Sequence, residues 1–163
     1  MRFLLSQTLP SLFPLITLSV MLTGCNSDSA SHLDKLKIRK LVLPSGVEIK
    51  TYIAKSHQEQ KKGLSGVLPQ DFSDKEAMLF PMDRMRARQF WMPNTHFNLD
   101  IIYLNKDMYV LEIHRNLAHF PKDGPDHLIP RSKTVFSQHV LELKASSPYA
   151  QEIQPGMILK FKD

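Results

Sequence analysis

Apolar and β-prone residues recur in several short stretches of the chain, and in residues 47–54 they alternate with polar residues at the two-residue period of a β-strand. Residues 36–43 and 47–54 are the first pair of such stretches, and the Pro-Ser-Gly sequence between them is typical of a turn. Residues 99–104 and 108–113 are a second pair, joined by the polar sequence Asn-Lys-Asp. Each pair therefore predicts a β-hairpin.

Between the hairpins the pattern predicts one short helix, over residues 57–62. Ser56 can cap its first turn while Glu59 reaches back to the main chain, and Gly63 suits the position after its last turn. Other apolar stretches predict further strands, at 77–80, 89–92, 135–143 and 157–161, a helical turn within 147–153 and a long loop over 116–134. Together these elements predict an α+β, mainly β fold, a compact barrel-like antiparallel β domain with one or two short helices.

The N-terminal segment has a different pattern, an apolar run over residues 12–22 that follows the positively charged Arg2. A transmembrane helix needs about 20 apolar residues, so this run has the length of a secretory signal instead. It ends in Leu-Thr-Gly-Cys at residues 22–25, which resembles the lipobox of bacterial lipoproteins. Cys25 is the only cysteine and has no disulfide partner within the chain. The resemblance implies that residues 1–24 are removed and that Cys25 carries acyl chains.

This anchor defines the expected organisation and location of the protein. We expect a signal peptide at residues 1–24, a lipidated Cys25 with a flexible tether over 25–35, and a single domain over 36–163. Residue 26 is Asn and not the Asp that retains enterobacterial lipoproteins in the inner membrane. The expected location is therefore the bacterial cell envelope, facing the periplasm, with the lipid in the outer membrane.

Composition narrows the range of partners. The net charge is +5, but the basic residues are dispersed, and we find no motif that combines basic and aromatic residues for nucleic-acid recognition. The membrane, reached through the lipid on Cys25, is the first expected partner. An envelope glycan, a lipid or another protein is the second, and nucleic acid is not expected.

A set of short motifs from Glu48 to the C-terminus resembles the domain of unknown function 192 (DUF192) family. The block FWMPNTHFNLDIIYL at residues 90–104 is the most specific part of the resemblance. The matching residues are Gly63-Leu64, Ala77-Met78-Leu79-Phe80, Phe90-Trp91-Met92, Asn94-Thr95, Leu99-Asp100, Val140-Leu141-Glu142-Leu143 and Pro155-Gly156. The resemblance implies a compact, mainly β domain and carries no established activity.

The chain departs from the family pattern at four positions. Ala77 and Ser146 stand where the family has glycine, and Ser65 and Val67 stand where Met and Arg are expected. If the family arginine contacts a ligand, this chain lacks that contact.

The candidate binding site consists of Trp91, Asn94, Thr95 and Asp100. Trp91 offers an aromatic wall, while the amide, hydroxyl and carboxylate groups can orient a small polar ligand such as a sugar. The alternative is structural, since Asn and Thr often close a turn through bonds from side chain to main chain, with Asp100 holding that turn in place. The preferred hypothesis is a lipid-anchored module that binds a small ligand or a partner, or an accessory protein of the envelope.

The alternative function is an envelope hydrolase that uses Asp100 and a histidine such as His96; Glu112 with His114 is a second acid–base pair. No known catalytic motif is present, so whether the chain is an enzyme stays open. Two further groups contain residue types that bind metals. One is Met78, Met82, Met85 and Met92, near several histidines, and the other is His119, Asp123, Asp126 and His127. Neither spacing matches a defined metal site, so no metal or cofactor is predicted.

Overall fold

The structure is a computed structural model that describes residues 30–122 and 124–162. The predicted signal peptide, residues 1–24, and the predicted lipidation site, Cys25, lie outside these described residues. Within them, no helix combines the length and the apolar character needed to cross a membrane.

The described chain is mainly β-strand, with two short α-helices and three single turns of 3₁₀-helix. The strands are β1 (Lys37–Val42), β2 (Glu48–Ile53), β3 (Glu76–Phe80), β4 (Arg86–Arg88), β5 (Leu99–Leu104), β6 (Val110–Leu117), β7 (Val135–Ser137), β8 (His139–Lys144) and β9 (Lys160–Lys162). The helices are α1 (Ala30–Leu33) and α2 (His57–Lys62), and the 3₁₀ turns are Pro69–Asp71, Asp126–Leu128 and Ala150–Glu152.

Seven of the strands form one curled sheet in the order β6-β5-β8-β3-β2-β1-β9, while β4 and β7 form a separate two-stranded ribbon. Residues in or next to the two outer strands, β6 and β9, are hydrogen-bonded to each other: the Val110 N–H donates to the Met157 carbonyl at 2.7 Å, and the Leu159 N–H donates to the Met108 carbonyl at 3.0 Å. The sheet is therefore a half-barrel whose edges meet at one end. The predicted mainly β, barrel-like fold is confirmed.

Apolar side chains cover both faces of this sheet and form two clusters. On β5, Leu99, Ile101 and Tyr103 belong to the first cluster, whereas Ile102 and Leu104 belong to the second. This division follows from the alternation of side chains along a strand. All of β5 is buried, as a central strand between two clusters must be.

Local sequence signals account for most element boundaries. Both predicted hairpins are present, as β1–β2 and β5–β6. The helix α2 has the predicted capping box, in which the Ser56 hydroxyl accepts from the Glu59 N–H and the Glu59 carboxylate accepts from the Ser56 N–H. Gly63 ends the helix with a positive φ of 48°, a conformation that glycine adopts at little cost.

Several predicted strands have different bounds in the structure: the strand predicted at 108–113 is β6 at Val110–Leu117, and the strand predicted at 157–161 is β9 at Lys160–Lys162. The strand predicted at 89–92 is wrong, because β4 ends at Arg88 and only Trp91 forms an isolated bridge, with Arg131. The facing segment contains Pro130, which accepts from Met92 but has no N–H to donate in return, so a regular ladder cannot form. The single strand predicted at 135–143 is divided at Gln138, because β7 pairs with β4 whereas β8 pairs with β3 and β5.

The antiparallel prediction and the tether prediction also need correction. One neighbouring pair, β2 and β3, is parallel, because residues 54–75 with α2 form the crossover that a parallel connection requires. The predicted tether over 25–35 is not flexible throughout: α1 lies within it, and Leu33 is only 2% exposed. Burial of Leu33 in the first cluster makes the end of that segment part of the folded domain.

Candidate functional site

A cleft of about 170 Å³ lies between the C-terminal end of α2 and the segment 89–95. Its lining combines aromatic, lysine and uncharged polar side chains with one carboxylic acid: Gln60, Lys61, Lys62, Gly63, Leu64, Ser65, Phe80, Gln89, Phe90, Trp91, Met92, Pro93, Thr95, Leu99 and Glu142. Pockets for drug-sized molecules have volumes of about 300–1,000 Å³. The cleft therefore suits a ligand of one ring rather than a larger molecule.

Two short connections hold the sides of the cleft together. The Gly66 N–H, in the turn after α2, donates to the Asn94 carbonyl at 2.7 Å. Leu64 and Val67 from the same turn are buried in the first cluster, so the turn is fixed to the core. On the other side, Ser132 accepts from the Phe90 N–H through its hydroxyl and donates to the Phe90 carbonyl through its own N–H, both at 2.8 Å.

Glu142 lies at the base of the cleft. It is on β8, opposite Met78 and Ile101 of the neighbouring strands, and it faces the same side of the sheet as the first cluster. The residue is only 5% exposed, and within residues 30–122 and 124–162 its carboxyl group has no hydrogen-bond or ion-pair partner. Its oxygens are not among the sealed-off side-chain atoms of the described residues, so the carboxyl group opens into the cleft. Such a group in a cleft indicates a functional position.

Burial also changes the acidity of this group. Desolvation raises the pKa of Glu142 to about 8 from an ordinary value of 4.5, because the charged form loses its hydration. At neutral pH the base of the cleft is therefore mainly a protonated carboxyl group, which can both donate and accept hydrogen bonds.

Aromatic side chains form one wall of the cleft. Phe80 and Phe90 meet edge to face, with ring centroids 5.1 Å apart. Trp91 continues this wall to the surface, where 43% of the residue is exposed. The Arg131 guanidinium lies 5.2 Å from the centroid of the Trp91 ring and orients it through a cation–π contact.

Lysine side chains form the rim. Lys61 and Lys62 are the last two residues of α2 and are exposed. The Nζ of Lys62 and the Nδ2 of Asn94 both lie beside Gly66, since a Cβ atom built at Gly66 would be 3.4 and 3.5 Å from them. Asn94 is thus a neighbour of the rim, although it does not line the cleft.

Of the four predicted binding residues, the structure brings three together. Trp91 and Thr95 line the cleft, and Asn94 lies next to it. Asn94 and Thr95 also shape the turn: Asn94 has a positive φ of 49°, and the main chain of Thr95 exchanges two hydrogen bonds of 3.0 Å with Phe120. Asn94 and Thr95 therefore lie where the binding hypothesis predicts them, and they also hold the turn in place, as the structural alternative predicts.

Asp100 lies apart from the cleft. Its carboxylate oxygens accept hydrogen bonds from the Arg115 side chain at 2.6 Å and from the Asn116 N–H at 2.8 Å, and the residue is 1% exposed. It alternates with Leu99 and Ile101, so it faces the side of the sheet opposite the first cluster. Asp100 therefore belongs to an internal ion pair and is not part of the predicted ligand site.

The acid–base pairs suggested by the sequence are not assembled around Asp100. The His96 ring bonds to the Asn94 side chain at 3.1 Å. Glu112 and His114 both contact Lys133, the first through the lysine Nζ and the second through its main-chain N–H. These contacts give each group a structural partner outside the cleft.

The side chains considered as metal ligands do not form a metal site among the described residues. Met78 and Met92 are buried in the first cluster, where a thioether fills space as a core side chain. Among the described residues, no three His, Cys, Asp or Glu side chains are grouped so that they could hold a metal ion. Asp123, one of the candidate ligands, lies outside the described part of the chain.

The sequence patterns did not predict Glu142 as a site residue, although it lies within one of the motifs shared with the DUF192 family. A signal was present: in the sequence Val140-Leu141-Glu142-Leu143, a carboxylate takes an inward position of an apolar strand. Such a position favours an apolar residue unless the carboxylate has a function or a partner. The contribution of α2 could not be predicted, because residues 60–65 reach the cleft only through the tertiary fold.

Comparison with known proteins places this cleft in a family without an assigned activity. One similar solved structure is a candidate transcription regulator from Sinorhizobium meliloti 1021, with 25% identity, a TM-score of 0.60 and coverage of 77% of this chain and 95% of that chain. Another is a protein of unknown function from Novosphingobium aromaticivorans DSM 12444, with 26% identity, a TM-score of 0.57 and coverage of 78% and 84%. No curated protein matches the chain. Residues 41–161 match the model of DUF192, described as an uncharacterised ACR family, and the chain therefore belongs to the DUF192 family.

Proposed function

We propose that this protein is a cell-envelope module that binds a small polar ligand in the cleft between α2 and the segment 89–95. The observation that carries the proposal is the Glu142 carboxyl group, which is buried at the base of the cleft and has no partner among the described residues. A ligand hydroxyl or amide would supply the hydrogen bond that the protein does not provide. In the bound state the ligand would take the place of the solvent that the carboxyl group meets in the open cleft.

The composition of the cleft supports a binding role. Small-molecule sites combine apolar walls with a few oriented polar groups, and here Phe90 and Trp91 face the same cleft as Glu142 and Thr95. The side-chain amides that line the cleft are held in place: Gln89 donates to the Ser132 carbonyl at 3.1 Å. A site whose polar groups are already positioned loses less entropy when it binds a ligand.

The envelope location is the second part of the proposal. It rests on the apolar run and the Leu-Thr-Gly-Cys sequence that ends at Cys25. In this proposal the acyl chains on Cys25 hold the protein at the outer membrane, and the domain faces the periplasm, where small glycan and peptide fragments occur. More than one acyl chain gives a lasting anchor, since a single chain binds only marginally.

Ligand-observed saturation-transfer NMR tests the binding role even while the identity of the ligand is open. The purified full-length chain is screened against monosaccharides, amino acids and small organic acids. We expect at least one compound class to bind, and we expect Glu142→Leu, which removes the hydrogen-bonding group, and Trp91→Ala to weaken that binding by about tenfold, equivalent to about 1.4 kcal/mol. Absence of binding across all three classes would remove the proposed function.

Two matched variants control this experiment. Glu112→Gln removes a carboxylate from the exposed pair with Lys133, and Phe136→Ala removes an exposed aromatic ring from β7. Neither residue lines the cleft. Equal losses in the cleft variants and in these controls would mean that the effect does not come from the cleft.

A further inference from the structure

The rim of the cleft has two cationic side chains without counter-charges. Within the described ranges 30–122 and 124–162, neither Lys61 nor Lys62 forms an ion pair. Other surface lysines do, for example Lys40 with Glu48 at 2.8 Å. Two lysine side chains that line the mouth of a cleft raise the local concentration of anions, and their ammonium groups can pair with an anionic group of a ligand.

The interior of the cleft has a different character, because it presents uncharged hydrogen-bonding groups together with Glu142. The side-chain amide of Gln60 is fixed by a bond of 3.0 Å to the Pro81 carbonyl, and the hydroxyl-bearing residues Ser65 and Thr95 line the same space. Groups of this kind both donate and accept hydrogen bonds, as a ligand with several hydroxyl groups requires. The Phe90 and Trp91 rings provide an apolar surface for the carbon face of a ring.

We infer that the ligand is an anionic monosaccharide, with its carboxylate or phosphate group at Lys61 and Lys62 and a ring hydroxyl at Glu142. This inference rests on the proposed binding function and specifies its ligand class. Each part of such a ligand has a matching part of the cleft. The anionic group faces the lysines of the rim, the sugar ring lies along the aromatic wall, and the hydroxyl groups face the uncharged polar interior. The volume of about 170 Å³ admits one ring and not a chain of several.

The test uses the intrinsic fluorescence of Trp91, which is the only tryptophan in the chain and lies in the cleft wall. The full-length chain is titrated with glucuronate, glucose 6-phosphate, glucose and glucosamine. We expect at least one anionic sugar to bind about tenfold more tightly than glucose, the gain from charge-assisted hydrogen bonds at a partly exposed site. The stronger of the two anionic probes identifies the anion, carboxylate or phosphate.

A double variant separates the rim from the rest of the cleft. In Lys61→Gln/Lys62→Gln the preference for the anionic sugar should fall to about twofold or less, while the affinity for glucose stays the same. The matched control is Lys160→Gln/Lys162→Gln, which removes the same charge from exposed positions on β9, three strands away from β3 in the sheet and outside the cleft lining. This control should keep the full preference, because charges far from the site are largely screened by salt.

The outcomes separate the ligand class from the binding function itself. Equal affinity for glucose and both anionic sugars, or tighter binding of glucosamine, overturns the inference and leaves the binding function in place. A preference that survives in Lys61→Gln/Lys62→Gln overturns it as well. Failure of all four sugars to bind overturns the inference, and only failure of the whole NMR panel also overturns the proposed function.

Discussion

Glu142 affects both the stability of the folded protein and the proposed binding of a ligand. A carboxyl group in a buried position must be either protonated or provided with a partner, because an isolated charge is poorly tolerated in the protein interior. Glu142 takes the first course in the free protein, since desolvation raises its pKa to about 8. Tyr103 is an electrostatic neighbour of this carboxyl group, and its own pKa is raised mainly by burial and further by Glu142.

This pKa predicts how stability depends on pH. In the unfolded chain Glu142 ionises near its ordinary pKa of 4.5, whereas in the folded protein it stays protonated up to about 8. Between pH 4.5 and about pH 8 the unfolded state binds fewer protons than the folded state. The stability that the Glu142 proton contributes is therefore complete below pH 4.5 and is lost as the pH rises towards 8. In Glu142→Gln this loss should be absent, which makes the variant more stable than the wild type by a few kcal/mol above about pH 8.

Urea unfolding of both proteins across the pH range, followed by Trp91 fluorescence, measures this difference. The Glu112→Gln variant serves as the control, because Glu112 is half-exposed and paired with Lys133. Its free energy of unfolding should follow the wild-type curve. Parallel curves for Glu142→Gln and the wild type would mean that Glu142 titrates alike in the folded and unfolded states, against the prediction.

At the scale of elements, Arg115 connects parts of the fold that are far apart in sequence. Its guanidinium donates to Asp100 on β5, and to the main-chain carbonyls of Ala150 and Ile153 at the last 3₁₀ turn. Arg115 itself is on β6, so one side chain joins two strands to the segment before β9. The planar guanidinium with its five donors is suited to such multiple contacts, and a lysine would not replace it.

This arrangement predicts unequal losses of stability for the two partners. Arg115→Gln should lower the free energy of unfolding by about 3–5 kcal/mol, since it leaves the Asp100 carboxylate buried without its counter-charge. Asp100→Asn should cost less, because the Arg115 side chain is 30% exposed and keeps its bonds to the Ala150 and Ile153 carbonyls. The exposed pair of Glu112 with Lys133 is the comparison: Glu112→Gln should cost less than about 1 kcal/mol. Chemical denaturation followed by circular dichroism measures all three.

The same variants decide whether Asp100 has any role in ligand binding. Asp100→Asn is expected to keep the wild-type affinity for the compound found by NMR, because Asp100 and the cleft lie on opposite faces of the sheet. A folded Asp100→Asn protein that no longer binds the ligand would restore Asp100 to the site and would contradict a purely structural role.

At the scale of the whole molecule, the proposed lipid anchor predicts how the protein is distributed in a cell. In an enterobacterial host fed with labelled palmitate, the full-length chain should incorporate the label and sediment with outer membranes. Cys25→Ser should lose the label, because no other cysteine can accept the acyl group. Ser27→Ala, a substitution of similar size two residues later, should be labelled as the wild type is.

A second substitution tests the sorting signal. Asn26→Asp introduces the residue that retains enterobacterial lipoproteins in the inner membrane, so the label should remain while the protein moves to the inner-membrane fraction. An unlabelled wild-type chain, or a Cys25→Ser chain that still carries palmitate, would refute the anchor itself.

The sequence by itself determined the features that depend on neighbouring residues. The hairpins, the capping box of Ser56 and Glu59, and the helix end at Gly63 were predicted from sequence because turns and caps are closed by residues within a few positions of each other. The resemblance in residues 90–104 located part of the cleft wall for the same reason: Trp91, Asn94 and Thr95 are close in the chain and stay close in the fold.

Only the tertiary structure decided which of these residues share a site. Asp100 follows Thr95 by five positions, yet alternation along β5 turns its side chain to the other face, where Arg115 binds it. Glu142 and the end of α2 reach the cleft from distant parts of the chain, through the parallel crossover to β3 and the pairing of β3 with β8. These contacts depend on strand order and register, which no local pattern specifies, and so the base and the rim of the cleft became visible only in the folded molecule.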